Sequence, residues 1–145
     1  MKKKVLKKIL RILIFVVVSL NVFLLNVVMH EIGHYLIANY HDLKPEIELN
    51  IENIGDLGFS LEEKTIASTS FNSPNSENIL IAISFMGPVM NLVLGVAFSI
   101  FFMLVSNKKT KLIFLVGIII SLLSFVTNLL PFEGTDGNII FGVSE

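Results

Sequence analysis

The chain of 145 residues contains no cysteine and no tryptophan, only four prolines, and few charges, with Asp, Glu, Lys and Arg together making up 16%. The lack of cysteine excludes disulfides, thiolate metal ligands and a cysteine nucleophile. The lack of a charge excess, with a formal net charge of -1, leaves no basic face for a nucleic acid partner. Soluble domains carry about 25% charged residues, so this chain is poorly equipped for water. Its 53% hydrophobic content and mean hydropathy of +0.77 also exclude intrinsic disorder, which needs low hydrophobicity. The length fits a single domain over residues 1–145. These absences point to an all-α membrane protein.

Three apolar stretches are long enough to cross a bilayer, at about 9–40, 79–105 and 112–130, since a spanning helix needs roughly 20 mostly apolar residues. Unpaired backbone groups are intolerable in hydrocarbon, so all three read as helices. The first stretch is longer than the apolar core of a cleavable signal peptide and lacks an Ala-x-Ala site, so it reads as a retained helix. Lys2, Lys3, Lys4, Lys7, Lys8 and Arg11 precede the first span, and Lys108, Lys109 and Lys111 separate the second from the third. The loop 41–78 is acidic instead. By the positive-inside rule the N-terminus is cytoplasmic and loop 41–78 faces outward, which makes this a multi-pass protein of the cell membrane.

Within that loop, Glu46-Ile47-Glu48-Leu49-Asn50-Ile51-Glu52 alternates polar and apolar residues, the period of a half-buried strand. Gly55-Asp56-Leu57-Gly58 is turn chemistry and Phe59-Ser60-Leu61 a candidate return strand, giving a small β-hairpin between the first two spans. Residues 68–78, rich in Ser, Asn and Pro, read as a flexible connection.

The end of the first span carries His30-Glu31-Ile32-Gly33-His34, an H-E-x-x-H pattern. Positions i and i+4 share a helix face, so both imidazoles can reach one Zn2+ ion, and Glu31 then lies beside the water at the metal as a proton acceptor. Ionisable groups in a span cost about 2.5–3.5 kcal/mol each on insertion scales, so three within five residues call for a function. A catalytic zinc needs a third protein ligand and keeps one open position. His41 lies on the same face but roughly 10 Å beyond His34 along a continuing helix. Asp136 is the better ligand. It follows Pro131, which should break the third span, and is flanked by Gly134 and Gly137, which permit irregular backbone lining a cavity. His41 or Glu133 as a fourth ligand would make the site a closed, structural one.

Gly87-Pro88 in the second span either brings helices together or opens a gap. Asn91, one turn further on, is either a helix–helix hydrogen-bonder or a polar group aimed at substrate. Ser19, Asn21 and Asn26 in the first span read as interhelix hydrogen-bonders, and Asn26, four positions before His30, is placed to support it.

Together, His30-Glu31-x-x-His34, Gly87-Pro88-x-x-Asn91 and Asn128-x-x-Pro131-x-x-x-x-Asp136-Gly137 on three successive apolar segments resemble the site-2 protease family of intramembrane zinc metalloproteases. The likeness extends over nearly the whole chain and matches that family's three-helix core. It implies that His30, His34 and Asp136 are zinc ligands, that Glu31 is the catalytic base, and that Asn91 and Asn128 line the substrate site. It also implies a strand-forming loop that holds an unwound substrate by strand addition. The family's site usually opens toward the cytoplasm, whereas the lysine distribution here turns it outward. The expected function is zinc-dependent intramembrane hydrolysis of peptide bonds in membrane-associated proteins or peptides. A catalytically inactive membrane binding or immunity-type protein that keeps the metal site is the alternative. The partners expected are a membrane protein or peptide substrate and the lipid bilayer, with a homodimer or a partner membrane protein compatible with so small a core.

Overall fold

The computed structural model describes residues 2–49 and 66–142. The order of elements is α1 (Lys2–Tyr40), β1 (Glu46–Leu49), β2 (Ala67–Ser70), α2 (Glu77–Leu104), α3 (Lys108–Leu129) and α4 (Asp136–Phe141). The first three helices are long and apolar enough to cross a membrane. They run up, down and up, with α2 packed against both α1 and α3. At about 1.5 Å per residue, the 22 residues of α3 span about 33 Å, close to the thickness of a hydrocarbon core. The 39 residues of α1 and the 28 of α2 reach further.

The distribution of side chains is inverted relative to a water-soluble bundle. Among the described residues the buried hydrophobics are Val22, Ala38, Ala67 and Ile83, while Asn26, Ser84, Asn91 and Ser121 are buried polar groups. Large apolar side chains such as Val16, Leu20, Val96, Ile100 and Leu123 face outward. In water this arrangement would be unstable. It is the one expected where the surrounding solvent is hydrocarbon, helix contacts rely on small residues, and polar side chains bond between or within helices.

Glycine sets the close approaches. A Cβ at Gly33 would lie 2.5 Å from the Met86 carbonyl oxygen, and one at Gly117 2.7 Å from the Phe98 ring. Only the absence of a side chain lets α1 and α3 come so near to α2. Pro88 sits inside α2 and removes the backbone donor that would have bonded the Ser84 carbonyl. As the sequence suggested, α3 stops at Leu129, just ahead of Pro131. The chain then reverses through Gly134, at φ 78°, into α4. Gly137 abuts the Leu129 and Leu130 carbonyls so closely that a side chain there would collide with them. This contact folds Asp136 back onto the end of the bundle.

The sheet has two antiparallel strands, with Ile47 opposite Thr69 and Leu49 opposite Ala67. The alternation read in the sequence from residue 46 is therefore realised at 46–49. Its partner differs from expectation. The strand partner is 67–70, a segment rich in small polar residues that read as a flexible connection. Cross-strand pairing, rather than the weak β-propensity of Ala and Ser, determines its conformation. The expected turn at 55–58, the return strand at 59–61 and Glu52 lie outside the described residues. Ser19 and Asn21 also depart from expectation. They do not bridge helices, because their side chains bond the carbonyls one turn back on α1, those of Phe15 and Val17.

Candidate metal centre

Two elements bring the sequence-predicted ligands together. His30 and His34 stand one turn apart on α1, and Asp136 opens α4. The His30 and His34 Nε2 atoms are 3.1 Å apart. The Asp136 carboxylate meets both, with Oδ2 3.0 Å from His30 Nε2 and Oδ1 3.4 Å from His34 Nε2. The side chains are 10–14% exposed. Asp136 Oδ2 is shielded from solvent and makes no hydrogen bond despite its short distance to His30. Such an approach without hydrogen-bond alignment is what lone pairs converging on a shared centre produce, and a buried carboxylate oxygen without a partner is costly unless a cation satisfies it.

Glu31 is the other carboxylate at the cluster. Its carboxylate and the imidazoles of His30 and His34 lie within 4.8 Å of one another, so these three residues could hold a metal ion. Of the two carboxylates, Asp136 is the nearer to the nitrogens, and a carboxylate oxygen of Glu31 is engaged elsewhere. The Thr69 hydroxyl on β2 lies 2.8 Å from Glu31 Oε2.

The far nitrogens of the imidazoles fix which lone pairs face the centre. His34 Nδ1 is 2.8 Å from the Ile83 carbonyl oxygen. A carbonyl only accepts, so Nδ1 carries the proton and Nε2 presents its lone pair to the centre. His30 Nδ1 faces the Asn91 amide at 3.1 Å. With the Asn91 nitrogen toward the ring, His30 Nε2 keeps a proton and donates it to His34. With the amide turned, Asn91 Oδ1 accepts from Nδ1–H and frees Nε2 for a metal. Oδ1 is buried and without a partner in the first orientation, and the two ends of an amide are distinguished only by such bonding. Asn91 thus makes the helix–helix hydrogen bond that was one of its two sequence readings, and it also borders the cavity beside the cluster. Replacing Asn91 by Ala is expected to weaken zinc binding about 10–100-fold in a competitive titration, the usual effect of losing a group that orients a ligand. Asn91→Asp, which can only accept, should retain tight binding.

Gly87 is pressed against the pair. A Cβ there would lie 2.5 Å from His34 Nε2 and Cε1 and 2.8 Å from His30 Cε1. The sequence offered closeness or a gap for Gly87-Pro88, and closeness is what α2 makes of it.

A cavity of about 560 Å³ opens beside the cluster, walled by Phe23 and Asn26 of α1, Ser124 and Asn128 of α3, and Ile66–Thr69 along β2. Asn128 is one of its lining residues, with its amide nitrogen bonded to the Ser124 carbonyl at 2.9 Å. Asn26 lines it one turn before His30 and bonds back to Val22 rather than to either imidazole. Residues 46–49 of β1 are exposed, and the strand that walls the cavity is β2. His41 lies beyond α1, edge-on to Tyr40 with ring centroids 5.2 Å apart, and Glu133 is exposed before α4. Neither joins the cluster. Thr69 is the site residue that sequence reasoning missed. A lone threonine in a polar stretch gives no signal, because strand pairing and the approach to α1 define its role.

No family model, no curated protein and no solved structure matches this chain. The likeness to site-2 proteases therefore rests on the sequence motifs alone.

Proposed function

We propose that this protein is a zinc-dependent intramembrane endopeptidase of site-2 protease type. The observation that carries the reading is the convergence of two imidazole nitrogens and the Asp136 carboxylate, from opposite ends of the chain, beside Glu31 and a cavity between α1 and α3. Tetrahedral zinc with bonds of about 2.0–2.1 Å places its ligand atoms about 3.3 Å apart, and the Nε2–Nε2 distance of 3.1 Å and the approach of one Asp136 oxygen to each imidazole, at 3.0 and 3.4 Å, are close to that spacing. Two imidazoles and one carboxylate are a catalytic rather than a closed structural set, because the fourth position stays free.

A zinc ion held by His30, His34 and Asp136 would supply Lewis-acid activation of water and of the scissile carbonyl. Glu31 takes a proton from the attacking water as its oxygen bonds the carbonyl carbon. As the C–N bond breaks, Glu31 returns that proton to the leaving amine. The cavity admits a substrate segment between α1 and α3, with the Asn128 side chain on its wall. Among the described residues β2 pairs on one side only, with β1, and its other edge would offer backbone groups to an unwound segment. The lysine-bearing ends of α1 and α3 lie in the cytoplasm, so the centre sits near the outer edge of the hydrocarbon, about one α3 length away.

Purified chain in detergent micelles should carry one zinc by elemental analysis. It should also cut members of a panel of single-span membrane reporter proteins, with cutting lost on chelation and restored by zinc. A zinc-loaded chain that cuts no reporter would leave a metal-holding binding protein in place of the enzyme.

A further inference from the structure

We propose that Thr69 is the positioning residue of the catalytic glutamate, so that strand β2 sets the place of the base as well as walling the cavity. The inference rests on the reading of Glu31 as the proton carrier and adds the group that holds it there. Glu31 is 8% exposed, and among the described residues the hydrogen-bond partner of its carboxylate is the Thr69 hydroxyl, 2.8 Å from Oε2. The same hydroxyl is 3.1 Å from the main-chain oxygen of Glu31. A glutamate has three rotatable side-chain bonds, and α1 alone does not restrain them. A second anchor from a separate element does.

A hydroxyl suits this place because it both donates and accepts. It donates to the Glu31 carboxylate before proton transfer. Once Glu31 Oε2 carries the proton taken from water, the hydroxyl accepts from it and turns its own proton to the Glu31 carbonyl. An amide or ammonium could not serve both states through one atom. The pairing register supports the assignment. Thr69 lies opposite Ile47 and Ala67 opposite Leu49, so Thr69 shares its face of the sheet with three apolar residues. A threonine on that face is explained by its polar partner on α1. Because Ile66–Thr69 also border the cavity, a segment bound along β2 lies against the strand that aims the base.

The test uses the full chain loaded with zinc and compares Thr69→Val, which keeps shape and strand propensity, with Thr69→Ser, which keeps the hydroxyl. Thr69→Val should lower kcat on the reporter proteins about 10-fold or more, the scale of one hydrogen bond to a charged group. KM, zinc content and melting temperature should stay near wild type, and Thr69→Ser should recover kcat to within about 3-fold. A second readout needs no turnover. Acetohydroxamate chelates zinc and offers a proton to a neighbouring carboxylate, so its affinity by calorimetry reports where Glu31 stands. It should weaken about 10-fold in Thr69→Val. In a Glu31→Gln background the same substitution should add little, as expected of two groups acting as one unit.

The proposal is overturned if Thr69→Val keeps wild-type kcat and hydroxamate affinity. It is equally overturned if zinc is lost without rescue by serine, which assigns Thr69 to packing. A wild-type chain that binds zinc yet cuts no reporter would overturn the enzymatic reading alone and leave the hydroxamate comparison intact.

Discussion

Glu31→Gln should leave zinc bound and reduce reporter cleavage by about 10²–10⁴-fold, the contribution usual for a positioned general acid–base. Asp136→Ala should instead empty the site. The contrast follows from the geometry, in which both carboxylates are within reach of the imidazoles. Asp136 stands at 3.0 and 3.4 Å from the two Nε2 atoms, and its Oδ2 is buried without a hydrogen bond. The Glu31 carboxylate is instead tied to Thr69. Glutamine keeps the size of Glu31 and can still accept from Thr69, but it cannot take a proton from water. On the proposed reading alanine at 136 removes one of three ligands, so affinity should fall by more than the ~100-fold seen for loss of a supporting group. Elemental analysis of the two purified variants, followed by the reporter assay, separates the roles. Zinc retained in Asp136→Ala and lost in Glu31→Gln would reverse the assignment.

Gly87→Ala is expected to impair the site strongly, although Gly87 offers no ligand atom. The added methyl would sit 2.5 Å from His34 Nε2 and 2.8 Å from His30 Cε1, and both rings belong to a helix that cannot yield freely. Gly33 on the same turn of α1 already touches the Met86 carbonyl, so α1 and α2 can separate only by breaking their packing. Overpacking of this kind costs about 1–3 kcal/mol, and displacing a reacting group by about 1 Å reduces rates about 100-fold. Gly87→Ala should therefore show a lower melting temperature, zinc affinity down by at least about 10-fold, and little cleavage. Gly95→Ala is the control. Its Cβ would meet Ser121 at 3.3 Å, away from the metal, and zinc content should stay at the wild-type level.

Much of this architecture was legible in the linear chain. Three apolar stretches, two lysine clusters and an acidic loop identify spanning helices, because length and charge act locally and additively. H-E-x-x-H is legible for a similar reason, since helical periodicity alone puts His30 and His34 on one face. Asp136 was legible through Pro131 and the glycines around it, whose backbone rules do not depend on neighbours. Residues whose roles depend on contacts between elements were harder to read. Asn91 read as interhelix glue or a substrate contact, and that its helix–helix bond goes to His30 became visible only once α2 lay against α1. Ser19 and Asn21 bond carbonyls of their own helix instead of a neighbouring one.

The strand pairing shows where local reading stops. The alternation from Glu46 identified β1, but its partner came from residues 67–70, which carry little strand propensity. Pairing energy belongs to two segments jointly, so neither one announces it alone. Composition and periodicity by themselves determined three helices long and apolar enough to cross a membrane, with an imidazole pair on one face of the first. Only the tertiary fold decided that Asp136 closes the cluster, that Gly87 is pressed against it and that Thr69 holds Glu31, because each of these depends on distances between atoms far apart in the chain.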